Sequence, residues 1–366
     1  MNSLAGLRIA LVGPVPPPAG GMAMQTRQLQ ELLQQERARV ELVPTNAPYR
    51  PAWAGRVRGV RALCRLLPYL RALWRALGRA DIVHVMANSG WSWHLCAAPA
   101  IRLAGLRGVP VVVNYRGGQA EEFLHRASRR VLASMRGVAR LVVPSGFLQQ
   151  VFAQRGIEAE IVPNVVDLAR FRPADGAPAG RAEPELFVSR NLEPIYDNAT
   201  AIRALALLRG HHPAARLTLA GSGPQEAELR RLAQELGLAA QVEFTGRLER
   251  DAMAERLRRA SVALNPSLVD NMPNSVLEAL ASGVPVVSTD VGGVPYIVTD
   301  GVTASLVPPS DPQAMATAIE ALLDDPAAAR QQAERGLQAV QAYTWARVGP
   351  RWAAVYDRAR RPPQPV

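Results

Sequence analysis

Apolar runs too short for a helix alternate with amphipathic, helix-length stretches along all 366 residues, and this rhythm leaves few folds open. Residues 8–12, 82–86, 109–113 and 141–143 are almost continuously apolar, which predicts strands buried on both faces, as in a parallel sheet. The series restarts at 185–189 and continues through 216–220, 241–244, 261–264 and 285–287. Between the two series lies PADGAPAGRAEPE, residues 173–185, rich in Pro, Gly and Ala and without period, which predicts a linker. The chain is therefore expected to be an α/β protein of two Rossmann-like, doubly wound domains, residues 1–172 and 186–342. A helix near 343–360 is expected to pack back on the first domain, with a disordered tail at 361–366. In such sheets ligands lie beyond the C-terminal strand ends, so two domains facing across a cleft would share a site and hold two molecules face to face.

Composition excludes some classes. Cys64 and Cys96 have neither zinc nor redox spacing and read as packing residues in a reducing compartment. No apolar run reaches the roughly 18 residues of a membrane span. The run at 7–12 is too short for a signal peptide and reads as the first buried strand. All 42 basic residues are Arg, and they are unevenly spread. Residues 1–175 carry 23 Arg against 10 Asp or Glu, a net +13, whereas the remainder carries 19 against 21, a net −2. The first half is thus suited to an anionic neighbour, a membrane surface or phosphate groups. Nucleic acid is disfavoured, because no aromatic-basic platform or groove-reading motif is present.

The most informative stretch is NPSLVDNMPNSVLEALASGVPVVSTDVGGVPYIV, residues 265–298. A strand runs into a polar loop, a helix follows, and Gly283 supplies a left-handed stop just past its end. Asp270 on the loop and Glu278 on the helix are two carboxylates separated by seven residues. A loop at the C-terminal end of a strand that feeds a helix N-terminus is where α/β proteins bind phosphorylated ligands, because first-turn N–H groups point at the ligand. Gly20 and Gly21 follow the first strand in the same way and let backbone approach a ligand. Further chemistry-bearing loops are Ser189-Arg190-Asn191, Ala220-Gly221-Ser222-Gly223-Pro224 and Thr245-Gly246-Arg247, each just after a strand.

Taken in order, PSGF, VPNVVDLARF, AGSGP, FTGRL and SVLEALASGVPVVSTDVGG form a specific set. With them the chain resembles the family 4 retaining glycosyltransferases, sugar-nucleotide-dependent enzymes of the two-domain GT-B fold, from about residue 8 to about residue 351. The resemblance implies a glycosyltransferase moving a sugar from a nucleotide-diphosphate donor to a saccharide or polyprenyl-pyrophosphate-linked acceptor in cell-surface polysaccharide synthesis. It assigns Glu278 to the donor ribose hydroxyls, Asp270 to the transferred sugar and Arg190 to the diphosphate, with no metal or other cofactor. Ser189, Gly221, Thr245, Gly246, Arg247, Asn271, Met272, Pro273 and Asn274 would complete the donor site, with Gly20 and Gly21 near the phosphates. These roles suit the chemistry: a carboxylate accepts from a vicinal diol, and a guanidinium fork matches phosphate oxygens.

Four departures from the family pattern stand out. Asp270 replaces the usual Glu and reaches one methylene less far. No basic residue follows Arg190 through Tyr196, where a Lys is usual. Tyr296 replaces the Glu of the GG-x-P-E pattern, and Asn114-Tyr115-Arg116 stands where a His is usual. Arg116 is read as a replacement cation, and Trp91, Tyr115 and Arg116 as acceptor-side candidates. Arg56 to Arg79 interleave with Leu, Val and Trp74, a pattern open to two readings, a solvated crossover helix or an anionic-membrane patch, with Pro68 expected to split it into two helices. The protein is accordingly expected in the cytoplasm, and the membrane-patch reading would place it peripherally on the inner face of the cell membrane. The rival readings are a catalytically degenerate GT-B scaffold and a GT-B sugar-nucleotide epimerase.

Overall fold

The computed structural model describes residues 4–17, 20–47, 60–174 and 183–361. Most of the expected linker (175–182), Arg56 and Arg58, and the tail beyond Arg361 lie outside the described residues. The chain divides into two units, Met1–Asn164 with Val348–Val366, and Val165–Arg347.

The first unit holds six parallel strands: β1 (Arg8–Gly13), β2 (Arg39–Pro44), β3 (Ile82–Ala87), β4 (Val111–Tyr115), β5 (Arg140–Val143) and β6 (Glu160–Ile161). Their order is β2-β1-β3-β4-β5-β6. Every residue of β3 and β4 is buried, as expected where helices cover both faces. One face packs Val83, Val85, Ala87, Val113 and Tyr115 with Trp93 and Phe152. Pro110 has no N–H to give, so β4 begins at Val111, two residues later than expected, and takes in Asn114 and Tyr115.

The second unit repeats the plan with β7 (Glu185–Val188), β8 (Arg216–Ala220), β9 (Val242–Gly246), β10 (Val262–Asn265), β11 (Val286–Thr289) and β12 (Ser305–Val307). The order is β12-β11-β10-β7-β8-β9, again all parallel. Leu186, Val188, Leu217, Leu219 and Leu264 pack with Ile202 and Leu205 in one core cluster. In a second cluster Phe187 and Ala263 meet Val276, Leu277 and Leu280 of the helix Asn274–Ala281.

Two expectations are corrected. The division falls after Asn164, not at 172, because Val166 and Phe171 bury their side chains in the second unit's core, about 2 kcal/mol for a residue of Phe171's size. Pro68 does not split its helix, which runs unbroken from Val60 to Leu77. Tyr69, Leu73 and Leu77 recur every fourth residue on its buried face, and Pro68 sits on the exposed one. That packing outweighs the single intrahelical hydrogen bond a proline removes.

Candidate active site

The switch point of the second sheet lies between β7 and β10, where the chain winds to opposite sides. In open α/β sheets ligands bind in the crevice at the strand ends there. Ser189 and Arg190 leave the C-terminal end of β7, and the loop to Asp270 leaves the end of β10. The two loops meet: the Arg190 guanidinium donates through Nη2 to Asp270 Oδ2, and through Nη1 to Ser275 Oγ at 3.4 Å. Its plane lies over the Tyr196 ring, 4.1 Å from the centroid. The side chains of Arg190 and Asp270 are each 11% exposed, so this is a buried pair rather than a surface contact.

Backbone packing fixes Arg190. Gly221 follows β8, and a Cβ there would stand 2.0 Å from the Arg190 carbonyl oxygen. Gly223 is held as tightly against Leu192, whose N–H donates to Ser222 O at 3.2 Å. The Ala220–Pro224 turn is therefore a brace for the arginine loop. Asp270 is fixed from the other side. Its carboxylate accepts from Ser267, Asn265 and the Asn271 N–H, and its carbonyl accepts from the Gly293 N–H at 2.8 Å. Behind it Asn265 Nδ2 donates to Ser288 Oγ at 3.0 Å, and Ser267 Oγ lies 3.1 Å from Asn265 Oδ1.

Met272 is 5% exposed and Asn271 6%, and Pro273 turns the chain into the helix Asn274–Ala281. No side chain caps that helix, which leaves its first turn suited to an anion. Glu278 stands one turn further in. Burial raises its carboxyl to about 7, against the pull of Arg250, Arg170 and Arg190. Burial also raises Asp270, which Arg190 and the three hydrogen bonds hold back. Two half-desolvated acids beside one guanidinium are a pattern typical of functional sites.

Thr245 and Gly246 close β9, where the register with β8 slips by one residue and Gly246 takes φ +67°. Such bulges re-aim the chain beside sites. Arg247 follows, exposed. In the first unit Gly20 and Gly21 open the helix Gly21–Gln35. Arg116 follows β4, its N–H donating to Ala87 O at 2.9 Å. Trp91 is 77% exposed beside His94. Tyr115 is corrected: it is wholly buried, its hydroxyl is spent on Ser89 Oγ at 2.6 Å, and it cannot touch an acceptor.

Residues not singled out from the sequence also belong here. Tyr196 and Ser275 hold Arg190, Ser267 and Asn265 hold Asp270, and Arg170 and Arg250 bias Glu278. Arg170 lies within VPNVVDLARF, so that motif already carries the signal.

Two doubly wound units, with a buried Arg–Asp pair and an uncapped helix at a switch point, define the class of GT-B transferases. Comparison with known proteins agrees. Residues 178–339 match the family described as Glycosyl transferases group 1, and residues 19–170 match Glycosyltransferase Family 4. Glycogen synthase of Mycobacterium tuberculosis is 31% identical over an alignment covering 78% of this chain and 72% of that protein. Sucrose-phosphate synthase from Thermosynechococcus elongatus superposes with a TM-score of 0.76 at 23% identity, over 96% of this chain and 98% of that one. Anabaena HepE, solved in complex with UDP-glucose, does so with a TM-score of 0.76 at 17% identity, over 95% and 99%. The chain belongs to the family 4 glycosyltransferases, and is a hexosyltransferase of GT-B fold.

Proposed function

We propose that the chain transfers a hexosyl group from a nucleoside-diphosphate sugar to a saccharide or polyprenyl-pyrophosphate-linked acceptor, with retention, in cell-surface polysaccharide assembly. The observation carrying this reading is the buried Arg190–Asp270 pair at the switch point, beside the uncapped helix Asn274–Ala281. The bond from the anomeric carbon to the diphosphate breaks, and negative charge grows on the leaving oxygen. Arg190 and the helix N-terminus stabilise that charge, and fixed donors of this kind do most to lower the barrier in such a site. Asp270 orients the sugar or stabilises positive charge on its ring, and Glu278 accepts from the ribose diol. The acceptor oxygen bonds the anomeric carbon and its proton leaves with the diphosphate. Charge compensation by a guanidinium makes a metal unnecessary in this reading. The relatives named above support a hexosyl donor, HepE having been solved with UDP-glucose.

Incubation with UDP-, GDP- and ADP-hexoses, with and without acceptor extract, tests the reading. Acceptor-dependent release of one nucleoside diphosphate, undiminished by EDTA, is expected. Altered free sugar without acceptor would point to the epimerase, and failure to bind any of these nucleotides to the scaffold.

The charge supports a location at an anionic membrane surface. Helix Val60–Leu77 exposes Arg71 and Arg75 with Leu67 and Trp74, and the Arg107 guanidinium lies 3.8 Å over the Trp74 ring. Among the described residues no helix is long and apolar enough to cross a membrane. We place the protein peripherally on the cytoplasmic leaflet, each arginine contributing about 1 kcal/mol near anionic lipid. Co-sedimentation with anionic but not neutral vesicles is expected; equal, negligible binding to both would refute it.

A further inference from the structure

The sheet face opposite Tyr115 carries a polar chain through an otherwise apolar layer. Arg116 Nε donates to Asn114 Oδ1 at 2.7 Å. Asn114 Nδ2 lies 3.1 Å from His84 Nε2 and 3.4 Å from Met86 Sδ. His84 Nδ1 lies 2.7 Å from the hydroxyl of Tyr356, on the helix Trp345–Arg360, and Trp352 packs its ring 4.8 Å from the imidazole. Asn114, His84 and Tyr356 are fully buried.

The direction of every bond follows from the guanidinium at its end. A guanidinium only donates, so Asn114 must turn its oxygen to Arg116 and its NH2 to His84. His84 Nε2 must then accept, which places the ring proton on Nδ1, donating to the Tyr356 oxygen. A second imidazole proton would oppose both the amide and the guanidinium, and burial with Arg116 nearby pushes His84 down to about 3. So much desolvated polarity, all aligned on one nitrogen of one arginine, is costly unless that arginine's placement matters.

We propose that Asn114, locked by His84 and Tyr356, is a positioning residue that holds the Arg116 guanidinium at the C-terminal end of β4 to bind a phosphate of the substrate. The inference rests on the transferase reading. The phosphate belongs to the donor or to a pyrophosphate-linked acceptor, and separate KM values for each distinguish the two.

Arg116→Ala should lower kcat/KM about 100-fold and Asn114→Leu about 10-fold, while the double variant should be no worse than Arg116→Ala alone, because residues acting as one unit are not additive. Arg116→Lys keeps the charge but cannot offer Nε–H, so it should also lose about 10-fold, and it carries the test if Asn114→Leu fails to fold. Millimolar guanidinium should restore part of the activity to Arg116→Ala but not to the double variant. Affinity for inorganic pyrophosphate, measured in Arg190→Ala/Asp270→Asn protein so that no charge is left buried without its partner, needs no turnover and should fall about 5-fold with either change. Additive losses, full activity of Arg116→Lys or unchanged pyrophosphate affinity would overturn the proposal. Pyrophosphate affinity that falls as expected in a protein that turns over no nucleotide sugar would instead sink the transferase reading alone.

Discussion

Arg190→Ala is expected to cut turnover about 1000-fold, the scale seen when a preorganised donor to a developing oxyanion is removed. The same change also leaves Asp270 buried without its counter-charge. Breaking one side of a buried pair costs about 3–5 kcal/mol, so lost activity alone would not separate chemistry from unfolding. The double variant Arg190→Ala/Asp270→Asn makes the separation. A neutral amide keeps an oxygen to accept from the donors at this position, Ser267, Asn265 and the Asn271 N–H, and needs no cation. Its thermal midpoint should return close to wild type while activity stays lost. A double variant that recovers both would show that the pair is only structural.

Glu278→Gln should remove function and add stability. The folded carboxyl sits at about 7 against an ordinary 4.5, so the native state holds the proton more tightly than the unfolded chain does. The sign follows: the stabilisation is complete below pH 4.5 and is lost as pH rises through 7. At pH 8 the wild type bears a buried negative charge whose cost is about 3 kcal/mol at most, and Gln does not bear it. Differential scanning calorimetry should therefore show Glu278→Gln melting above wild type at pH 8 and with it at pH 4.5. Nucleoside-diphosphate affinity should fall at least about 10-fold, since hydrogen bonds to a charged acceptor contribute about 1.5–3 kcal/mol. A 2′-deoxynucleotide should lose affinity for wild type and little for Glu278→Gln. Equal melting at both pH values would show that Glu278 is solvated and its assigned role wrong.

Much of the fold is legible in the chain because parallel strands are written as apolar runs and their C-terminal ends as Gly, Ser, Asn and Asp. The loops at Ser189, Gly221, Thr245 and Asn265 can be placed that way. Strand β2 is hidden because Arg39 and Glu41 interrupt its apolar run, as an edge position allows. Tyr115 misleads because β4 extends past its apolar run. Adding Asn114 and Tyr115 to the strand sends Tyr115 into the core and Asn114 to the other face, with His84. Side-chain pairings are the least legible. His84 and Tyr356 stand 272 residues apart, and Arg190 and Asp270 stand 80 apart. No local pattern records either meeting; only the winding of the sheet brings the partners together.

The most direct test is a crystal structure with a bound nucleoside diphosphate. The account predicts phosphate oxygens within hydrogen-bonding distance of the Arg190 guanidinium and of backbone N–H groups in the first turn of Asn274–Ala281, and the ribose diol on Glu278. A nucleotide bound at any other strand end, with the Arg190–Asp270 pair and Glu278 untouched by it, would contradict it.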